Sequence, residues 1–290
     1  RIIRRVLLFP HWAFGGAFNL YDKFLSNYCS ELKSVGRKKI IDYIDSDVGI
    51  IKHGEVFFQL YTPNNTCRLR QTTFSTKEPE MLEWIEEYGG GVFFDIGANI
   101  GIYSIFYAQV KDGNIYSFEP SVFNLRQLAK NVSVNKLSER ITIVPNPLTE
   151  STVIANFVSG STVEGSALSA FGVEYGHDGK PMIGDVNYSM LGFSLDDLFE
   201  RNALVEKPAL IKIDVDGIEH LILKGATKTL KAETLKSVYI EVNDDFKEQA
   251  FQVEAILRSA GFTLKEKRHA DMFDTSETFG VTYNQIWVKA

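Results

Sequence analysis

Three short stretches carry residue types that could do chemistry together. The first is Phe93-Phe94-Asp95-Ile96-Gly97-Ala98-Asn99-Ile100-Gly101. An apolar run ends in an acid, and a glycine-containing turn opens the next helix. Glycines at such a turn let a ligand approach the backbone and let that helix pack on the strand. The carboxylate of Asp95 is suited to the cationic amino group of a ligand. The second is Ser117-Phe118-Glu119-Pro120. An acid at the end of the next strand of a doubly wound fold accepts hydrogen bonds from ribose hydroxyls, and Pro120 fixes the exit of the chain. The third is Ile211-Lys212-Ile213-Asp214-Val215-Asp216-Gly217-Ile218-Glu219-His220. Group transfer to a hydroxyl needs an aligned acceptor and commonly a base for its proton. Asp214, Asp216, Glu219 and His220 are the candidates. Asp216 and Glu219 also suit a turn and a helix start, and three acids so close raise a hard metal ion as the lesser alternative. In Tyr239-Ile240-Glu241-Val242-Asn243, Glu241 either reaches substrate or anchors a loop.

These residues need a frame that brings strand ends together. From Gly91 the pattern alternates: strands at 92–96, 114–118, 141–144, 209–215 and 237–242, with helices at 100–110, 123–135, near 220–230 and at 246–260. Two further strands, 262–267 and 281–288, have no helix between them, which makes one of them antiparallel. Apolar strands alternating with helices predict a parallel sheet covered on both faces. In such sheets ligands sit beyond the carboxyl ends of the strands.

Residues 151–192 break the rhythm. They are rich in Ser and Gly, lack strong periodicity, and are expected as an insertion over the active site. Residues 1–88 read as a separate extension. A helix is expected over 17–34, short strands over 48–74, and a second helix from Thr76, as cap, to about Tyr88. The domain boundaries expected are therefore 1–88 and 89–290.

Composition narrows the function classes. The chain has 290 residues, 44% hydrophobic, with a net charge of −6. Its basic residues form no dense stripe, which argues against nucleic acid as the partner. The two cysteines, Cys29 and Cys67, have neither disulfide-framework nor zinc spacing, and the expected location is the cytoplasm. Val6–Phe18 is too short and interrupted to span a bilayer, so no transmembrane segment is expected, and it lacks a clear signal cleavage site. Phe9, Trp12, Phe14 and Phe18 are expected to pack internally, with a homodimer surface as the alternative. The spacing around Gly97 is not that of a nicotinamide-binding turn: Asn99 occupies the place of the glycine that admits a pyrophosphate.

Taken in order, Asp95–Gly101, Ser117-Phe118-Glu119-Pro120, Ser194-Leu195-Asp196-Asp197-Leu198, Lys212–Glu219, Leu223-Lys224-Gly225-Ala226 and Ile240-Glu241 resemble the FkbM family of class I S-adenosylmethionine-dependent methyltransferases over about residues 90–290. The resemblance implies a Rossmann-like, doubly wound α/β fold: a mostly parallel seven-stranded sheet with one antiparallel strand, preceded here by a mixed α+β N-terminal extension. It implies O-methylation of a hydroxyl on a sugar, glycan or related small molecule. By position, Asp95, Gly97, Ala98, Asn99 and Gly101 would surround the cofactor. Tyr103 and Ser104 would reach its methionine end, Glu119 and Pro120 its ribose, Phe123 would pack nearby, and Asn146 would approach the adenine. Asp214 would face the transferring methyl. Lys77-Glu78-Pro79-Glu80 recurs in some relatives, which places Glu78 at the cofactor entrance. Two departures stand out: Asp216 where the family usually has Glu, and Val144–Leu148 in place of an Ala-rich turn. A nicotinamide-dependent oxidoreductase and a non-catalytic binding module are the competing readings.

Overall fold

The computed structural model describes residues 15–17, 19–21, 23, 30–269, 276 and 280–289. Phe9, Trp12, Phe14 and Phe18 lie outside the described residues. The chain divides into two compact units, Arg1–Asp47 and Val48–Ala290. The first contains the helix α1 (Ser30–Asp45), with further helical residues at 15–17, 19–21 and 23. Among the described residues no helix is long and apolar enough to cross a membrane.

The larger unit starts with a hairpin, β1 (Val48–His53) paired antiparallel with β2 (Val56–Tyr61). Two helices follow, α2 (Asn65–Lys77) and α3 (Pro79–Tyr88). α2 replaces the strands expected up to 74. Its start is fixed by Asn64, whose side chain accepts the Cys67 N–H at 2.9 Å and satisfies one of the open amides of a helix N-terminus. Thr76 lies inside α2 rather than capping the next helix; α3 begins on Pro79, where a missing N–H costs nothing.

The alternating elements then appear: β3 (Phe93–Ile96), α4 (Ile102–Val110), β4 (Ile115–Phe118), α5 (Val122–Val134), β5 (Ile141–Val144), β9 (Leu210–Ile213), α7 (Glu219–Lys224), β10 (Ser237–Asn243), α8 (Lys247–Ser259), β11 (Phe262–Arg268) and β12 (Thr282–Lys289). Their strands form one sheet in the order β11-β12-β10-β9-β3-β4-β5. β12 runs antiparallel to both of its neighbours, and β3, β4, β5, β9 and β10 pair in parallel. All four residues of β3 and all four of β9 are buried, as central strands covered on both faces must be.

Side chains alternate across the sheet. Phe93, Leu210 and Tyr239 enter one core with Trp84, Phe106, Tyr107, Leu128, Phe58 and Leu60. Phe94, Ile211 and Ile240 enter the other with Leu198, Ile222, Val253 and Leu257. The first core explains why the boundary lies at Val48 rather than at 88: the hairpin and α3 bury their apolar side chains against α4 and the sheet.

The insertion is ordered. β6 (Val153–Ser159) pairs antiparallel with β7 (Ser169–Phe171) on one side and β8 (Val186–Gly192) on the other. Tyr188 and Met190 of β8 are half-buried while Asn187, Ser189 and Leu191 are exposed. That period-two pattern was legible, but Leu191 and the Ser/Gly-rich flanks dilute it. α6 (Leu195–Glu200), capped by Ser194, returns the chain to the frame.

Candidate functional site

The β3–α4 turn is built from backbone conformations that few residues adopt. Gly97, Asn99 and Gly101 have φ of 79°, 52° and 84°. A Cβ on Gly97 would lie 1.8 Å from the Asp214 carbonyl oxygen, so any side chain there forces β3 and β9 apart. A Cβ on Gly101 would lie 2.3 Å from Leu128 Cδ1. Asparagine tolerates the left-handed region because its side chain bonds locally: Asn99 Oδ1 accepts the Ile100 N–H at 3.0 Å. Its Nδ2 donates to Ser166 O at 2.8 Å, which ties the turn to the insertion.

Glu119 stands beyond β4 with its carboxylate held by backbone. Oε2 accepts the Asn99 N–H at 2.7 Å, and Oε1 accepts the Ser121 N–H at 2.9 Å and Asn124 Nδ2 at 3.4 Å. Burial pushes its carboxyl up to about 7 against the pull of these donors. The group is fixed in place and lines a cavity of about 240 Å³.

Asp95 does not reach that cavity. It is fully buried behind the turn, with Lys212 Nζ at 3.1 Å from Oδ1 and Ser104 Oγ donating to Oδ2 at 2.6 Å. Ser104 in turn touches Ser117 Oγ at 2.7 Å. Asp95 and Ser104, expected against the cofactor, are thus taken up by a buried polar chain whose charge Lys212 balances. A buried carboxylate without such a partner would be costly. Lys212 also donates to Gly97 O at 2.7 Å and lies 3.8 Å from Asp214 Oδ2. Burial would lower its ammonium, but Asp95 and Asp214 hold it above the usual lysine range. This one cation therefore links the turn to the end of β9.

On the α2–α3 side, Glu78 lies in the break between the helices. Its Oε1 is 2.5 Å from Lys77 Nζ, and Oε2 accepts the Tyr103 hydroxyl. Burial favours its neutral form, but Lys77, Tyr103 and Lys212 outweigh that and hold it down at about 2. Arg70, Lys77, Glu78 and Tyr103 all line the cavity.

Of the other expected residues, Gly97, Ala98, Asn99, Pro120, Asn146 and Asp214 line the cavity. Asn146 Nδ2 donates to Leu191 O at 2.9 Å, so its amide is shared with the insertion. Gly101 and Phe123 stand outside the lining: Gly101 makes room for Leu128, and Phe123 is half-buried on α5. Glu219 and His220 also fall outside it. Glu219 accepts the amides of Val215 at 3.2 Å and Gly217 at 3.1 Å, and Gln249 Nε2 at 2.5 Å. It braces the β9–α7 turn, and burial pushes its carboxyl up to about 8. His220 packs edge-on to Phe246, and burial lowers its imidazole. The Glu219 carboxylate is taken up by the turn, while His220 packs on Phe246 with its Nδ1 buried and unpaired among the described residues. Asp216 does line the cavity; its Oδ2 accepts the amides of Leu168 at 2.8 Å and Ser169 at 3.1 Å, and burial pushes it up to about 6.

Glu241 on β10 lines the cavity with no hydrogen-bond or ion-pair partner among the described residues. Burial, with Asp214 and Asp216 nearby, pushes its carboxyl well above the usual range. His269, Thr282 and Asn284 complete this side. The sequence raised Glu241 but left its role open. Arg70 and the β12 residues gave no signal there, because nothing local marks a side chain that reaches the site from a distant element. Among the described residues no group of three or more His, Cys, Asp or Glu side chains is placed to hold a metal ion.

The donor set fits S-adenosylmethionine. It offers one buried carboxylate for a ribose diol, apolar walls at Ile96, Pro120 and Leu148 for a base, and further carboxylates for cationic groups. Comparison with solved structures gives likenesses of low identity. An FkbM methyltransferase from Methylobacillus flagellatus is 14% identical with a TM-score of 0.46; the match covers 77% of this chain and 52% of that one. The chain thus spans about half the length of that relative. The Methanococcus jannaschii fibrillarin pre-rRNA processing protein is 16% identical with a TM-score of 0.44, over 84% of this chain and 83% of that one. TrmK of M. capricolum, in complex with S-adenosyl-homocysteine, is 12% identical with a TM-score of 0.40, over 73% and 66%. No curated protein matches. The methyltransferase FkbM domain matches residues 95–264, more than half the chain and every strand that borders the cavity from β4 to β10. With its ordered motifs, its sheet and its cavity, this chain belongs to the FkbM methyltransferase family and uses S-adenosylmethionine as its cofactor.

Proposed function

We propose that the chain methylates a hydroxyl of a sugar, glycan or related small molecule, in the cytoplasm. The cofactor supplies an electrophilic methyl group when bound. Glu119 and the 97–99 turn hold the nucleoside, and Pro120 and Asn146 border the base. Glu78, kept ionised, offers negative charge to the cationic methionine end, and Asp214 lies on the wall between the two carboxylates Glu119 and Glu241.

The observation that carries the hydroxyl reading is Glu241. It is a carboxylate on the cavity wall with no partner of its own among the described residues. An acceptor O–H placed there would donate its hydrogen bond to Glu241, whose carboxylate would take the proton as the oxygen gains the methyl group and the methyl–sulfur bond breaks to leave a neutral thioether. Desolvation and the nearby Asp214 and Asp216 make Glu241 hold a proton more tightly than an ordinary carboxyl, so it is the stronger base once ionised. Glu219 acts behind the wall by bracing Val215–Gly217, and His220 stands outside the cavity lining.

Calorimetric titration of S-adenosylmethionine and, separately, NADH tests the cofactor side. Incubation with a panel of sugars and polyols, followed by mass spectrometry, tests the acceptor side. Binding of the first ligand alone and a methylated polyol support the reading. Methylation only on nitrogen or carbon, or NADH binding alone, would sink it.

A further inference from the structure

Five carboxylates line the cavity, Glu78, Glu119, Asp214, Asp216 and Glu241, against three side chains of fixed positive charge, Arg70, Lys77 and Lys212. An acid-rich wall suits a sulfonium and an ammonium. It is hostile to the one anionic group of the cofactor, its α-carboxylate, unless a cation is reserved for it. Two of the three cations are committed. Lys212 is shared among Asp95, Asp214 and Gly97 O, and Lys77 is bound to Glu78.

Arg70 is different. Its Nε donates to Gly165 O at 2.6 Å, and that is its one hydrogen bond among the described residues, none of which brings a carboxylate within ion-pair distance. That bond holds the side chain and fixes the plane of the guanidinium. Both terminal nitrogens are left free of these residues at the cavity wall, and a guanidinium fork matches a carboxylate. Arg70 is also close enough to Lys77 and Tyr103 for its charge to act on both, which puts it at the methionine side of the cavity.

We propose that Arg70 is the anchor of the cofactor's α-carboxylate. It sits on α2, ahead of the family-matching residues 95–264, so the cofactor site is completed by a helix outside that segment. The inference rests on the S-adenosylmethionine reading of the cavity. It also assigns a role to the Gly165 contact: the insertion holds the side chain that holds the carboxylate.

The test compares S-adenosylmethionine with decarboxylated S-adenosylmethionine, titrated calorimetrically without acceptor into the full chain and into Arg70→Met and Arg70→Lys. The wild-type chain is expected to favour the carboxylated ligand by about 10- to 100-fold, the range of a charge-assisted contact. Arg70→Met should bring the two ligands to near-equal affinity by weakening the first alone, and Arg70→Lys should restore part of the preference. Equal weakening of both ligands would show that Arg70 merely props the Gly165 loop, and the proposal fails. Unchanged binding of both, with a raised KM for the acceptor, would assign Arg70 to an anionic acceptor and overturn it as well. A wild-type chain that binds neither ligand overturns the cofactor reading, and this inference with it. A thermal scan of each variant verifies that it is folded.

Discussion

Two of the five carboxylates that line the cavity live in opposite circumstances. Glu119, beyond β4, is gripped by two backbone amides and Asn124. Glu241, on β10, has no donor among the described residues. β3 and β9 separate their strands in the sheet, about 14 Å of strand spacing. On the Glu119 side every group is fixed by a turn or by the strand next to it, so the site is preorganised for one ligand. On the Glu241 side a half-buried acid has no donor beside it among the described residues, an arrangement that a substrate hydroxyl would complete. Binding is built into the frame, and reactivity is left open beside it.

The largest effect should come from the one group that serves both sides. Lys212→Met leaves Asp95 buried without its cation and frees Gly97 O and Asp214. Breaking a buried pair from one side costs about 3–5 kcal/mol, and urea denaturation should show a loss of that size. A variant as stable as wild type would mean that the Asp95–Lys212 pair adds nothing net and that the two sides are independent.

The next effect should separate them. Glu241→Gln is nearly isosteric and removes only the proton acceptor. We expect kcat to fall by about 100-fold, with the Kd of S-adenosylmethionine unchanged. A fall in cofactor affinity instead would place Glu241 in the binding half and dissolve the contrast.

The same contrast governs how much was readable beforehand. The strands of the seven-stranded sheet, its single antiparallel strand, and Gly97, Asn99 and Glu119 are set by local pattern: an apolar run, a turn, an acid at a strand end. The fate of Asp95 was not readable, because its partner Lys212 belongs to another strand and only the β3–β9 register, Asp95 opposite Lys212, brings them together. α2 was missed because its threonines favour strand and it buries only Cys67 and Phe74, so no apolar stripe announces it. Asn64 three residues before Cys67 was the one cue. Glu219 and His220 looked chemical by type, yet the tight turn at Gly217 spends the first on backbone amides. Arg70 shows the limit most plainly, since its place at the cavity depends on the insertion more than ninety residues along the chain.

The smallest effect is a pH dependence that belongs to Glu119 and should persist in the Glu241 variant. Burial raises the Glu119 carboxyl to about 7 in the folded chain, against 4.5 for the ordinary group. A folded-state pKa above the unfolded one means that the fold holds the proton more tightly. The stability this contributes is fully present below about 4.5 and is lost as pH rises through about 7. Ribose hydroxyls donating to Glu119 favour the ionised form, so cofactor binding expels the proton and strengthens with pH over the same interval. The ionised fraction falls from about nine-tenths at pH 8 to about one-tenth at pH 6, and affinity for S-adenosylmethionine should fall about 10-fold between them. Calorimetry in buffers of different ionisation enthalpy should register proton release near pH 7. Glu119→Gln should flatten the affinity profile and make the decline in melting temperature between pH 5 and 7 shallower. Asp216 and Glu219, raised to about 6 and 8, keep part of that decline in the variant. Wild-type affinity that is flat from pH 6 to 8 would mean that the ribose does not meet this carboxylate, and the preorganised half of the site would have to be sought elsewhere along the cavity.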